Sequence, residues 1–253
     1  MGVKSYLERT PVFTIKDFRE KFPSITGYNL LRRAVASNKV FHIVRGLYAS
    51  NTGRYTDINH DRFEIAARLA PDAVIAYHSA LELYGVAHSL TNRVQYYSLE
   101  KKKVVTFQSN TYKRYPPPNG HDLLTQTVNV SDYIAVHITT KEQTLLDCIA
   151  RLGRGGGAEE VLRSVTGFPY IDVESVKAIA AVMPSSVIAR IGWLLEQKKG
   201  AWDVSEEDLN FLENLLTGTA YRFVSRANKD NGWSKRWKLL LPAPETEMRD
   251  WIQ

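Results

Sequence analysis

Thr26, Asn29, Arg32 and Arg33 are spaced so that a helix running from about Ser24 to Asn38 gathers donors on one side. At about 100° per residue, Thr26, Asn29, Arg33 and Ala36 share a face with Arg32 at its margin, while Leu31, Ala34, Val35 and Asn38 lie opposite. Guanidinium groups suit guanine edges and phosphates, and an amide pairs bidentately with adenine, so this face carries what major-groove reading requires. A solvated helix face uses the same residue types, and the helix alone does not separate the two. The next residues favour the first. Val40–Val44 and Leu47–Ser50 are β-prone runs parted only by Arg45-Gly46, a two-residue hairpin signal. Lys39, His42 and Arg45 would meet phosphates if that hairpin lay on the flanking backbone. A hairpin that merely completes a small core accounts for Ile43 and Leu47 but not for the basic tip.

Other groupings are weaker. Pro71-Asp72 followed by Glu100-Lys101-Lys102 resembles the pattern of metal-dependent nucleases, in which two carboxylates hold Mg²⁺ and a lysine polarises water. A helical stretch, Ser79–Tyr84, intervenes where such a core joins its elements directly. Gly153–Gly157 with Arg154 follows a helix rather than a strand and lacks the Lys-Ser/Thr of a nucleotide loop, so it reads as a linker. His78, His88, His121 and His137 are scattered, Cys148 sits in an apolar helix as core filler, and Trp233 to Lys238 reads as a terminal strand with a buried tryptophan. No catalytic residue, metal or cofactor is called for.

The elements that would position the donors follow from pattern and charge. Residues 1–54 hold ten Lys/Arg against three Asp/Glu, whereas 55–253 hold 23 against 24, so the net charge of +6 belongs to the first fifth of the chain. That is the footprint of a nucleic-acid-binding module joined to a neutral body. Within the module, Ser5–Arg9 predicts a short helix, Thr14 caps a second over Ile15–Phe22, and Ser24 or Thr26 caps the third. With the hairpin this is a winged helix-turn-helix. The polar stretch Asn51–Asn59 predicts a boundary with some hinge motion, giving a DNA-binding domain at 1–54 and a larger domain at 55–253. The body reads as helices at Asp61–Leu69 and Val74–Tyr84, a mainly antiparallel sheet from about Val94 to Ile138, and then helices. The fold class is α+β. A single cysteine, no apolar run of roughly 20 residues and no signal-like start point to a cytoplasmic protein without a membrane span.

The succession of motifs resembles the AbiEi-type antitoxins of type IV toxin-antitoxin systems, associated with abortive infection of phage-infected bacteria. It rests on Phe13–Phe18, Arg45–Ala49, Ala76–Gly85, Lys141–Asp147 and Arg190–Glu196, in the family's order. The resemblance implies a winged helix that represses its own operon at a promoter inverted repeat of double-stranded DNA, and a domain with antitoxin activity. It implies a functional partner, a nucleotidyltransferase-like toxin countered without a stable complex. Gln143 stands where the family usually carries Arg. The alternatives are a ligand-sensing winged-helix transcription factor, whose body would enclose a polar-lined pocket, and the metal-dependent nuclease.

Overall fold

The computed structural model describes residues 2–101, 103–120, 122–131, 134–225 and 231–252, without the Glu245 side chain. It is a mixed α/β protein with eleven α-helices and three sheets among the described residues. Two compact units interleave along the chain. One takes residues 1–75, 91–117 and 127–137, and the other 76–90, 118–126 and 138–253. The connector after residue 54 therefore lies inside the first unit. No helix among the described residues is long and apolar enough to cross a membrane.

The first unit opens with α1 (Val3–Leu7), β1 (Val12–Thr14), α2 (Ile15–Lys21), α3 (Ile25–Ala36), β2 (Val40–Val44) and β3 (Leu47–Ser50). Thr14 starts α2 through a reciprocal capping box: Asp17 N donates to Thr14 Oγ1 at 3.1 Å, and Thr14 N to Asp17 Oδ2 at 3.0 Å. Ser24 caps α3, its Oγ accepting from Gly27 N at 3.1 Å. Asn38, expected on the core side of this helix, instead turns the chain out of it at φ +56° and is exposed. Val12-Phe13, between the first two helices, belongs to a third strand: β1 pairs antiparallel with β3, and β3 with β2. Behind α3, Tyr6, Leu7, Phe13, Phe18, Leu31, Ala34 and Val40 form one buried cluster. The Tyr6 ring meets Phe13, Phe18 and Phe22 edge-on at centroid distances of 5.5 to 5.8 Å.

After α4 (Arg62–Leu69), capped by Asp61, come β4 (Val74–Ile75), β5 (Arg93–Tyr97), β6 (Val105–Phe107), β7 (Asn110–Tyr115), β8 (Thr125–Ser131) and β9 (Ile134–Thr139). They form a sheet in the order β6-β7-β5-β4-β9-β8. Although consecutive in the chain, β5 and β6 are not neighbours. β7 inserts between them, antiparallel to β6 and parallel to β5. Because β6 makes the return run, this parallel pair needs no crossover helix; β4 with β5 and β6 with β7 keep the antiparallel pattern. The connector read as a hinge is tied down. Tyr55 is buried with its hydroxyl donating to Arg9 O at 3.1 Å, Asn51 Nδ2 donates to Asn38 O at 2.8 Å, and Gln108 Nε2 to Ile58 O at 2.9 Å.

The second unit is mostly helical: α5 (His78–Leu83), α6 (Lys141–Ala150), α7 (Ala158–Val165), α8 (Val173–Ala180), α9 (Ser185–Gln197), α10 (Glu206–Asn214) and α11 (Glu245–Ile252). The helix expected from Val74 begins only at His78, because Val74-Ile75 is strand and Tyr77 takes φ +55°. A small sheet adds β10 (Tyr221–Arg222), β11 (Trp233–Ser234) and β12 (Leu239–Leu240) in the order β10-β12-β11. Trp237 is fully buried against Gly192 of α9, where a Cβ would collide with the indole ring.

The tightest approach behind the basic face is at Gly27, where a Cβ would fall 2.7 Å from Phe22 Cβ. Gly27→Ala is therefore expected to destabilise the protein by ~1–3 kcal/mol through overpacking, despite the better helix propensity of alanine. Urea denaturation of the full chain measures it; an unchanged midpoint would mean that Phe22 yields without cost.

Candidate nucleic-acid interface

Helix α3 divides cleanly because one side is committed to the core. Gly27, Leu31 and Ala34 are buried, and Leu31 is only 1% exposed. The opposite side presents Thr26, Asn29, Arg32 and Arg33, all exposed. Ile25 and Leu30 are exposed as well, which puts apolar surface among these donors. Lys39 is exposed where the chain leaves α3 for β2. His42 is exposed on β2, and its ring lies 5.2 Å from that of Tyr48, its partner on β3. Arg45 stands exposed in the turn, beside Gly46 at φ +84°. The turn is anchored, since Ile15 N at the start of α2 donates to Gly46 O at 2.7 Å.

A groove of about 360 Å³ separates α3 from the hairpin, and it brings Arg32 and His42 together with Tyr28 and Tyr48. Tyr28 and Tyr48 were not among the expected residues. Tyr28 carried a signal, because it precedes Arg32 by one helical turn and so shares its side of the helix. Arg19 of α2 lies 5.7 Å over the Tyr28 ring and so adds a cation near this edge. Burial pushes the Tyr48 hydroxyl above its ordinary value, so it stays a neutral donor. Chemically the surface offers guanidinium forks, an amide and hydroxyls on a convex helix, flanked by basic groups on a pinned hairpin. Such donors can meet anionic oxygens and heteroaromatic edges.

The other sequence candidates have local partners. Asp72 accepts from Ser98 Oγ at 2.5 Å and from Leu99 N at 2.7 Å, tying its loop to the end of β5. Burial raises its carboxyl, but these hydrogen bonds outweigh burial and leave it below the ordinary value. Glu100 is exposed, and Lys102 and His121 lie outside the described residues. Among those described, no three His, Cys, Asp or Glu side chains are grouped to hold a metal. Arg154 of the glycine-rich stretch donates to Tyr77 Oη and lies 5.0 Å over its ring, so it holds that residue in place. Cys148 is fully buried, and burial pushes its thiol well up. Trp237 donates from Nε1 to Glu196 Oε2 at 2.8 Å, and Arg236 pairs with Glu206 and Glu213.

His78 is more than a packing residue. It is buried between two carboxylates, with Nδ1 2.9 Å from Glu82 Oε1 and Nε2 3.1 Å from Glu160 Oε1. Carboxylates only accept, so both ring nitrogens must donate and the arrangement calls for imidazolium. Burial lowers the imidazole, but the hydrogen bonds and charges of Glu82 and Glu160 outweigh it and raise the value above 6.5. Glu160 also accepts from Ser89 N at 3.0 Å and from Ser89 Oγ at 2.9 Å.

No protein-family model matches the chain, and no curated protein does. Among solved structures it is similar to the crystal structure of RV2827C protein from Mycobacterium tuberculosis, with a TM-score of 0.66 and 14% sequence identity over 98% of this chain and 92% of that one. At that identity the likeness is one of fold.

The His78 cluster has a defined pH signature. Because its pKa is raised on folding, its stabilisation is fully present below the ordinary value of 6.5 and is lost as pH rises through the folded value. His78→Gln is expected to cost about 1–3 kcal/mol near pH 6, and the gap to the unaltered protein should narrow toward pH 9. Denaturant midpoints across that range measure it, and a gap that stays constant would mean that the ring is neutral.

Proposed function

We propose that residues 1–54 are a winged helix-turn-helix that binds duplex DNA, and that the protein is a cytoplasmic transcriptional repressor and the antitoxin of a type IV toxin-antitoxin system. The observation that carries the DNA reading is the sidedness of α3. Its buried side is fixed by the aromatic cluster, while Thr26, Asn29, Arg32 and Arg33 are exposed together, next to a hairpin exposing Lys39, His42 and Arg45. In this reading α3 lies in the major groove, with Asn29 and Arg33 toward base edges, Arg32 toward base edges or nearby phosphates, and the hairpin on the flanking backbone. Exposed Ile25 and Leu30 suit thymine methyls. Two copies of the reader would occupy the halves of an inverted repeat.

The antitoxin reading rests on the sequence resemblance, which extends through the second unit. Segments carrying it supply that unit's buried residues: Ser79, Ala80 and Leu81; Leu145 and Leu146; Ile191, Leu194 and Leu195. The family's usual Arg is replaced by Gln143, which is fully buried, its Nε2 donating to Asp147 Oδ1 at 2.9 Å. A buried amide satisfies that position without the desolvation cost of a cation, so antitoxin activity here does not use a charge at 143. The protein is read as having no catalytic role of its own and as countering a nucleotidyltransferase-like toxin without a stable complex.

Arg33→Ala should weaken operator binding by ~1–3 kcal/mol and relax sequence preference, whereas Arg45→Ala should weaken specific and random DNA alike. Titrations on both DNAs at several salt concentrations measure this, and equal losses for both variants on both DNAs would refute the division. Co-expression with a nucleotidyltransferase-like toxin encoded beside this gene should restore growth. Continued growth arrest at matched protein levels would sink the antitoxin reading.

A further inference from the structure

Inside the first unit, away from the exposed face of α3, lies a cavity of about 580 Å³ walled by Pro11, Tyr55, Ile58, His60, Glu64 and Ile134, with Arg9 and Arg54 at its rim. Its size is within the range of small-molecule sites, about 300–1,000 Å³. Two of its wall residues carry a buried atom that no described group meets, Glu64 Oε2 and His60 Nδ1. The tautomer of His60 follows from geometry. Its Nε2 lies 2.8 Å from Ser50 O, which can only accept, so Nε2 holds the hydrogen; burial lowers the ring's pKa and keeps it neutral. Nδ1 is therefore an acceptor. Glu64 Oε1 accepts from Arg68 Nε at 3.2 Å, which leaves Oε2 as the second acceptor. Burial pushes the Glu64 carboxyl up to about 7, so at neutral pH it ionises for an incoming donor at little cost.

Two unmet acceptors in lining residues call for N–H groups, the apolar and aromatic sides call for a planar ring, and the two rim guanidiniums call for an anion. We propose that this cavity binds a purine nucleotide, the N–H edge of its base toward His60 and Glu64 and its phosphate toward Arg9 and Arg54. The same wall reaches the DNA-facing elements. Arg68 links Glu64 to Asp17 Oδ2 at 3.4 Å, the oxygen that caps α2, and His60 holds the last carbonyl of β3. Occupancy would thereby bias the helix and hairpin that present the basic face, a consequence that rests on the DNA-binding reading.

Calorimetry of the full chain without DNA tests the site, using guanosine and adenosine 5′-monophosphates, with guanosine and inorganic phosphate alone as fragment controls. At least one nucleotide should saturate a single site below about 1 mM, each fragment should bind at least about tenfold more weakly, and Arg9→Ala should cost about tenfold. Glu64→Gln should cost a similar factor with folding checked by melting; Ile134→Trp, which fills the cavity, should abolish the heat. The absence of a saturable heat from either nucleotide at that concentration, meaning that the cavity holds water only, overturns the proposal. So does binding that Arg9→Ala and Ile134→Trp leave unchanged. Operator titration with and without the bound nucleotide then reads the coupling, and a protein that fails to bind DNA leaves the calorimetric result standing on its own.

Discussion

The edge-on packing of Tyr6 against Phe13, Phe18 and Phe22 is the constraint on which the rest of the first unit depends. Those four rings come from α1, β1, α2 and the residue after it, so their contact sets how the elements meet before α3 is laid on them. Once Leu31 and Ala34 are placed on that cluster, the helix cannot rotate without burying a guanidinium, at a cost of several kcal/mol. The outward direction of Asn29, Arg32 and Arg33 is thus fixed from behind, by apolar contacts that touch none of them. The capping box at Thr14 and the bond from Ile15 N to Gly46 O extend the same order to the hairpin.

The second unit is ordered in a different way, by polar groups each held by a specific partner. Arg154 holds Tyr77 at a left-handed backbone position that costs a non-glycine residue roughly 1–3 kcal/mol. Glu82 and Glu160 clamp His78, and Glu196 orients the indole of Trp237 over Gly192. Charged side chains inside this unit act as positioning devices.

These helices and the hairpin of β2 with β3 were legible because their signals are local: Thr14, Ser24, Asp61, Thr140 and Ser205 cap where a cap was needed, and Arg45-Gly46 sits at the turn. What escaped depends on distant chain. β7 reads as a polar run, yet Tyr112 is fully buried because the strand slots between β5 and β6. Val74-Ile75 continues a helical pattern in isolation and becomes strand by pairing with Tyr96 and Tyr97. The exposure of the seven expected residues was readable from period and charge, and Tyr28 from its place one turn before Arg32, whereas Tyr48 needed its groove and the cavity at Glu64 needed tertiary structure, since no spacing relates Arg9 to Glu64. Gln108 illustrates the same limit: a residue in the β6–β7 turn secures Ile58 and His60 in the connector.

The interleaving of the two compact units has a consequence for how the molecule can be cut. The chain passes from one to the other after residues 75, 90, 117, 126 and 137. A single nick in any exposed loop therefore liberates neither half, and no terminal truncation yields the first unit with its sheet complete. Genetic exchange that swaps one half between relatives would need several simultaneous breakpoints, so the two halves are expected to be inherited as one piece.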